Sequence, residues 1–263
     1  MFEAVKKYKT FIDYANPLTK ILLAAILFVM VIFIHNPNVL FHLTILMLIM
    51  LLALSGVKLK YLILLLIFIF ISGFISSLYM IFYGEGTDTL FRYGIIHITE
   101  ESIVRGLHIT MRGIILSLFG ALVIFTSKIT DVFYALMRQL KVKPKYAYSF
   151  MAAIRMVPII IAEYFQLRQA RKVRRALIHK KYISGFKGLK STIVTLLSQS
   201  IRRAYRLGIA MESKGFTDGS RTYYHRTSFS KYDVYLLLLM AAAIIAAVQL
   251  GAVLTPFETT DAR

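Results

Sequence analysis

The sequence predicts an all-α integral membrane protein with about five transmembrane helices and a cytoplasmic bundle of about three amphipathic helices. Three observations carry that reading. Of the 263 residues, 58% are hydrophobic, more apolar surface than one water-facing core can hide, so lipid must be part of the solvent. Apolar stretches recur at spanning length, which is roughly 20 residues for about 30 Å of hydrocarbon. Finally, 22 of the 32 Lys and Arg residues fall between Lys128 and Lys231, opposed only by Asp131, Glu163, Glu212 and Asp218. That stretch therefore holds a net +18 of the chain's +19. Charge gathered in one internal segment marks a cytoplasmic working part held by an anchor. The expected organisation is a membrane domain of four spans over residues 1–127, a cytoplasmic helical region over 128–231, and a last span with a short outer tail over 232–263.

The first element, Ile21–Ile34, is apolar throughout but short. It spans only if Pro17–Thr19 and His35–Asn36 are added and Lys20 snorkels to the interface. Asn36-Pro37-Asn38 reads as a turn and Val39–Leu54 as the return, with a partly re-entrant hairpin as the alternative for this pair. Tyr61–Phe82, Ile103–Phe125 and Val234–Leu254 reach spanning length unaided. Lys6, Lys7, Lys9 and Lys20 precede the first span, and Lys58 and Lys60 follow the second. The loop Tyr83–Ser102 sets Arg92 against Glu85, Asp88, Glu100 and Glu101, and the tail carries Glu258, Asp261 and the terminal Arg263. Every cation-rich loop falls on one side if the N-terminus is cytoplasmic and the C-terminus outside. Met1–Lys20 lacks a small-residue cleavage site, so no signal peptide is expected.

The basic stretch keeps helical periodicity. Thr130-Asp131 starts a short helix with Val132, Phe133, Leu136, Met137 and Leu140 on one side, ended by Lys143-Pro144. A long pattern runs on from about Tyr146 to Lys180, with a kink expected near Pro158. Its first half is apolar (Phe150, Ile154, Val157, Ile160, Ile161) and its second half basic. After a Gly/Lys-rich break, Tyr182 to Lys190, a third helix begins near Ser191. Ile193, Leu197, Ile201, Ala204, Gly208 and Met211 share one face of it, and Gly215 supplies the stop. Ala204 and Gly208 are small enough to let another helix approach closely.

Several function classes find no support. With no Cys, disulfides and thiolate metal sites are excluded. There is no HExxH, no carboxylate pair in a span, and the six His are scattered, so no catalytic or metal-binding residues are assigned. Gly185 to Ser191 faintly resembles a phosphate loop, but Leu189 replaces the Gly needed before the Lys, so nucleotide binding is not expected. The pI near 10.1 comes from cytoplasmic-side charge bias, and no nucleic acid is implicated. Arg105, His108 and Arg112 lie within two turns of the outer end of the fourth span, and read as interfacial anchors or as packing partners for another helix. More informative are two cationic helix ends, Arg168 to Arg175 and Arg202 to Phe216. Each is either a solvated tip favoured by the helix dipole and inner lipid surface, or a plug for an acid-rimmed groove on a soluble partner.

These residues resemble the transmembrane coupling subunit (T component, EcfT/CbiQ family) of energy-coupling-factor ABC transporters, over nearly the whole chain. Asn16-Pro17-Leu18-Thr19-Lys20 is similar to the family's Asp-Pro-x-Thr-Lys opening. Ile154-Arg155-Met156-Val157-Pro158 is similar to its Leu-Arg-Phe-x-Pro element, giving Pro17, Arg155 and Pro158 structural roles. Ala210-Met211-Glu212-Ser213-Lys214-Gly215-Phe216 is similar to Ala-Met-Glu-Ala-Arg-Gly-Phe, the most specific of the three. The resemblance implies an ATPase-coupling X-Arg-X motif at Val173-Arg174-Arg175, with the register one turn earlier, around Arg171, as the alternative. It implies a second at Ser213-Lys214-Gly215, beside Glu212, where Lys214 stands for the family's Arg. It further implies two cytoplasmic ATPases, which carry the ATP and Mg while this chain binds no cofactor and is no enzyme. The third implied partner is a substrate-binding S component, gripped through Ile160, Ile161, Ile193, Leu197, Ile201, Ala204 and Gly208. The setting would be a bacterial cell membrane and the cargo a vitamin, a cofactor precursor, or cobalt or nickel. The competing classes are a conventional ABC permease with its own pathway, a membrane enzyme, and a scaffold binding anionic lipid.

Overall fold

Two Asn-Pro pairs start the first two long helices. In the computed structural model, which describes residues 6–83, 89–93, 96–178, 186–216 and 228–256, Asn16 accepts the Leu18 N–H on its side-chain oxygen at 3.0 Å, and Pro17 opens helix α1, Pro17–Phe33. Asn36 accepts the Asn38 N–H at 2.9 Å, and Pro37 opens α2, Pro37–Leu54. Proline is tolerated at the first helical position because that N–H lacks a helical acceptor anyway. Both helices thus begin before the apolar runs expected from the sequence, at Pro17 instead of Ile21 and at Pro37 instead of Val39. Next come α3, Leu59–Tyr83, and α4, Glu100–Thr126. α5, Ile129–Gln139, α6, Pro144–Ile178, and α7, Phe186–Ser213, make up the basic stretch, and α8, Lys231–Val253, closes the described chain. α7 starts five residues ahead of the expected Ser191; residues 179–185 lie outside the described chain.

The helical fold class is as the sequence implies, with one addition. Part of the loop expected between α3 and α4 forms an antiparallel pair, β1 (Thr89–Tyr93) and β2 (Ile96–Thr99), with Arg92 opposite His97 and Tyr93 opposite Ile96. Its aromatic and β-branched composition favours strand. The pair leads into α4, where Thr99 accepts the Ser102 N–H at 3.2 Å and Ser102 accepts the Thr99 N–H at 3.0 Å, a reciprocal cap.

Among the described residues, five helical segments are long and apolar enough to span a membrane: Pro37–Leu54, Leu59–Phe82, Glu101–Thr126, Pro144–Arg174 and Lys231–Val253. Four are expected spans; the other is α6, whose first half is apolar. α1, at 17 residues, is only about 26 Å long.

The chain divides into two compact units, Met1–Ala135 with Thr227–Arg263, and Leu136–Arg226. In the first, α4 packs against α1, α2 and α3, while α2 also packs against α8. Leu27, Leu40, Leu43, Leu51, Ile115, Leu118, Leu122 and Leu236 are fully buried between them. The opposite faces stay apolar: Leu64, Phe68, Ile71, Ile75 and Tyr79 of α3 are exposed, as a lipid-facing surface requires.

α2 and α8 approach closely at Gly251. A Cβ there would lie 2.9–3.0 Å from Cγ2, Cα and N of Val39, and the backbone atoms cannot yield. Gly251→Ala is expected to lower the melting temperature of the detergent-solubilised protein, at a cost of about 1–3 kcal/mol from overpacking. Gly120→Ala, where a Cβ meets nothing within 4 Å, is the neutral control. Equal melting of the two variants would show that the α2–α8 contact is loose.

In the second unit, α5 ends in a left-handed residue, Lys141 (φ 53). The Val142 N–H reaches back to the Leu136 carbonyl at 3.2 Å, closing the helix end. Pro144 then opens α6 in place of Tyr146. α6 is continuous through Pro158 for 35 residues, about 52 Å.

Candidate functional site

The two long helices of the second unit form an antiparallel pair joined at three levels. At one end the Phe216 ring meets Tyr148 edge-on, with centroids 5.8 Å apart. Midway, Arg203 of α7 is ion-paired with Glu163 of α6. At the other end Arg171 donates to Thr192 Oγ1 at 2.6 Å and to Ser191 Oγ at 3.1 Å. In that arrangement the C-terminal tips of α6 and α7 lie at opposite ends of the pair. From Thr192, which abuts Arg171, to Lys214 is about 33 Å along the α7 axis.

Each tip has a defined shape. At the end of α7, Gly215 adopts φ +74. Its N–H bonds the Glu212 carbonyl at 2.9 Å, and the Phe216 N–H bonds the Met211 carbonyl at 3.0 Å. This six-to-one and five-to-two pairing needs a left-handed residue, which explains the glycine. It leaves Glu212, Ser213 and Lys214 exposed. At the end of α6, Val173 and Arg174 are exposed, and Arg174 has no partner among the described residues. The side chain of Arg175 lies outside the described residues. Arg171 is occupied by its own chain, while Arg174 is available to a partner.

The apolar face expected on these helices divides in two. Ile161 of α6 and Ile193, Leu197 and Ile201 of α7 are more than half exposed. Ile160, Ala204 and Gly208 instead line a groove of about 300 Å³ between the helices, with Met156, Leu207 and Met211. A Cβ on Gly208 would meet nothing within 4 Å. The close approach that the small residues suggested is therefore not made by α6, and the space stays open. On the other side of the Glu163–Arg203 pair, a wider groove is lined by Gln166, Gln199, Arg202 and Arg206. Arg155 and Pro158 sit on the exposed surface of α6. Among the described residues, no cluster of His, Asp or Glu is placed to hold a metal ion.

In the membrane unit, Arg112 donates to the carbonyls of Ile32 at 3.1 Å and Ile34 at 2.9 Å, closing the C-terminal end of α1. That selects a packing partner over an interfacial anchor for this residue. Lys20 differs from its expected position. It does not snorkel but is 0% exposed, donating to the Thr126 carbonyl at 2.8 Å, with the carboxylates of Asp13, Asp131 and Asp233 nearby. An ammonium turns inward when a carbonyl and several acids replace its water. Asp233, unremarked in the sequence, accepts the N–H of Asn16 on one oxygen and of Ser230 on the other, both at 2.6 Å. The available signal was Ser230-x-x-Asp233, a helix-start pattern directly before the last apolar run.

The family model described as "CbiQ: Cobalt transport protein" matches residues 8–224. The chain is 28% identical to the energy-coupling factor transporter transmembrane protein EcfT of Streptococcus equi subsp. equi, covering 83% of this chain and 85% of that protein. It is 26% identical to the protein of that name from Streptococcus thermophilus, over 89% and 91% of the two chains. The Bacillus subtilis EcfT is 28% identical, over 88% and 91%.

Proposed function

This chain belongs to the CbiQ family, and from that premise we propose that it is the transmembrane coupling component of an energy-coupling-factor importer. It is a transporter membrane subunit; hydrolysis of ATP belongs to two cytoplasmic ATPase partners. Their conformational change passes through α6 and α7 to a separate membrane S component, which carries the vitamin, cofactor precursor or metal ion.

One observation carries this reading. The antiparallel pair presents exposed cationic tips at opposite ends, with unpartnered apolar residues between them. Two separated tips suit two soluble subunits, each offering a carboxylate-lined groove. The strip of Ile193, Leu197 and Ile201 suits an apolar partner, because exposed contiguous apolar surface of this kind marks an interaction site. A conventional permease would line its spans with polar groups. In the membrane unit Asn16, Lys20, Arg112 and Asp233 are instead engaged in holding helix ends together.

Co-expression with candidate ATPases and small membrane proteins, with affinity purification on this chain, tests the proposal. The expected result is a complex with two ATPase chains and one S component, whose ligand mass spectrometry identifies. Recovery of this chain alone, or with a single partner class, overturns it.

The charge distribution orients the protein with the N-terminus and the basic stretch in the cytoplasm and the C-terminus outside. Because the chain has no Cys, single substitutions report sidedness cleanly. Thr255→Cys is expected to react with an impermeant maleimide in intact cells, and Ser198→Cys only after lysis. The reverse pattern would invert the topology.

A further inference from the structure

The first turn of α1 binds both places where the basic segment joins the membrane unit. Residues 127–229 leave after Thr126, the last residue of α4, and return at Ser230, which precedes α8. Lys20 holds the first point through the Thr126 carbonyl, at 2.8 Å. Asp233 holds the second, joining the N–H groups of Asn16 and Ser230 at 2.6 Å each. Asn16, Lys20 and Asp233 are all nearly or fully buried, so water does not compete for these bonds. Next to them the rings of Tyr14 and Tyr232 lie 5.6 Å apart, a further tie between the N-terminal segment and α8.

We propose that Asn16, Lys20 and Asp233 form a positioning clamp that fixes the departure and the return of the coupling segment to one point of the membrane unit. The inference rests on the coupling-component reading above. A lever transmits force only against a fixed mount. If the ends of α4 and α8 can part, movement driven by the ATPases spreads the membrane helices instead of acting on the S component. The Asn-Pro-x-Thr-Lys spacing meets the need in one helical turn. Asn16 caps the helix and offers its N–H to Asp233, Pro17 sets the start, and Lys20, one turn on, reaches α4.

The test is transport per ATP in proteoliposomes containing the whole complex. Asp233→Ala removes both acceptors, and Lys20→Met removes the donor while keeping the apolar stem. Each variant is expected to retain ATPases and S component, and to hydrolyse ATP near the wild-type rate. Uptake per ATP is expected to fall by roughly fivefold or more. Asp233→Ala is then combined with Tyr14→Cys and Tyr232→Cys, and a short bis-maleimide bridges the pair. Bridging is expected to restore uptake per ATP, which a merely structural defect would not allow. Should Asp233→Ala yield no complex, Asp233→Asn, which keeps one acceptor, carries the same readout. Wild-type coupling in the variants, or a loss that tracks assembly and resists the bridge, overturns the clamp. Failure of the wild-type chain to assemble with ATPases would instead overturn the coupling reading itself.

Discussion

Cutting Arg174 back to alanine is expected to strip an ATPase subunit from the purified membrane protein and to abolish most ATP-dependent uptake. Arg174 sits at an exposed helix end with no partner among the described residues, so its planar guanidinium is free to meet a carboxylate with two parallel hydrogen bonds. Removing it leaves that acid unpaired in a desolvated contact, a loss of about 2–5 kcal/mol. At the far tip Lys214 offers one mobile ammonium in place of a fork, so Lys214→Ala is expected to be the milder lesion. Lys214→Arg is expected to be tolerated and to tighten the complex. The Arg171 bonds to Ser191 and Thr192 give that neighbour a second role. Arg171→Ala loosens α6 from α7, so Thr192→Val is needed beside it as a variant that weakens the brace alone. Were Arg171→Ala worse than Arg174→Ala while Thr192→Val stayed silent, the contact would lie one turn earlier than assigned. Wild-type retention and uptake in all the tip variants would reduce both tips to solvated helix ends.

The second large effect is expected from an acid on the outer strip of α7. Leu197 and Ile201 are 57% and 60% exposed, and lie on one face with Ile193. Covering each with a partner would contribute about 1.5–3 kcal/mol. Leu197→Asp or Ile201→Asp forfeits that and adds a carboxylate with no counter-charge. The expected outcome is loss of the S component from the purified complex, by about a hundredfold in affinity or more, with both ATPases retained. Ser198→Asp, exposed on the same helix, serves as the control for added charge. Simultaneous loss of all partners would mean that the helix pair itself had come apart, and would withdraw the assignment of this strip.

Much of the architecture arises from patterns that are local in the chain. The apolar runs of α2, α3, α4 and α8 dictate helices of spanning length, because an unpaired backbone is too costly in hydrocarbon to adopt another form. The end of α7 at Gly215 is equally legible, since its capping bonds join residues no more than five apart. The starts of α1 and α2 are less so, because Asn-Pro looks like a turn in isolation. Whether proline interrupts or opens a helix depends on the residues C-terminal to it, and here a proline at the first helical position with an Asn cap wins.

The sequence by itself determined the membrane class, the helical elements, the concentration of positive charge in one segment, and the cationic ends of α6 and α7. All of these depend on hydrophobicity, period and spacing along the chain. Tertiary structure alone decided that Lys20 is buried and not snorkelling, that Arg171 is spent on α7 while Arg174 is not, and that Ala204 and Gly208 border an open groove. It also brought Asp233 to Asn16. Each of these polar pairings joins groups 20 to 217 residues apart in the chain. A side chain's environment, unlike its periodicity, is set by the element packed against it.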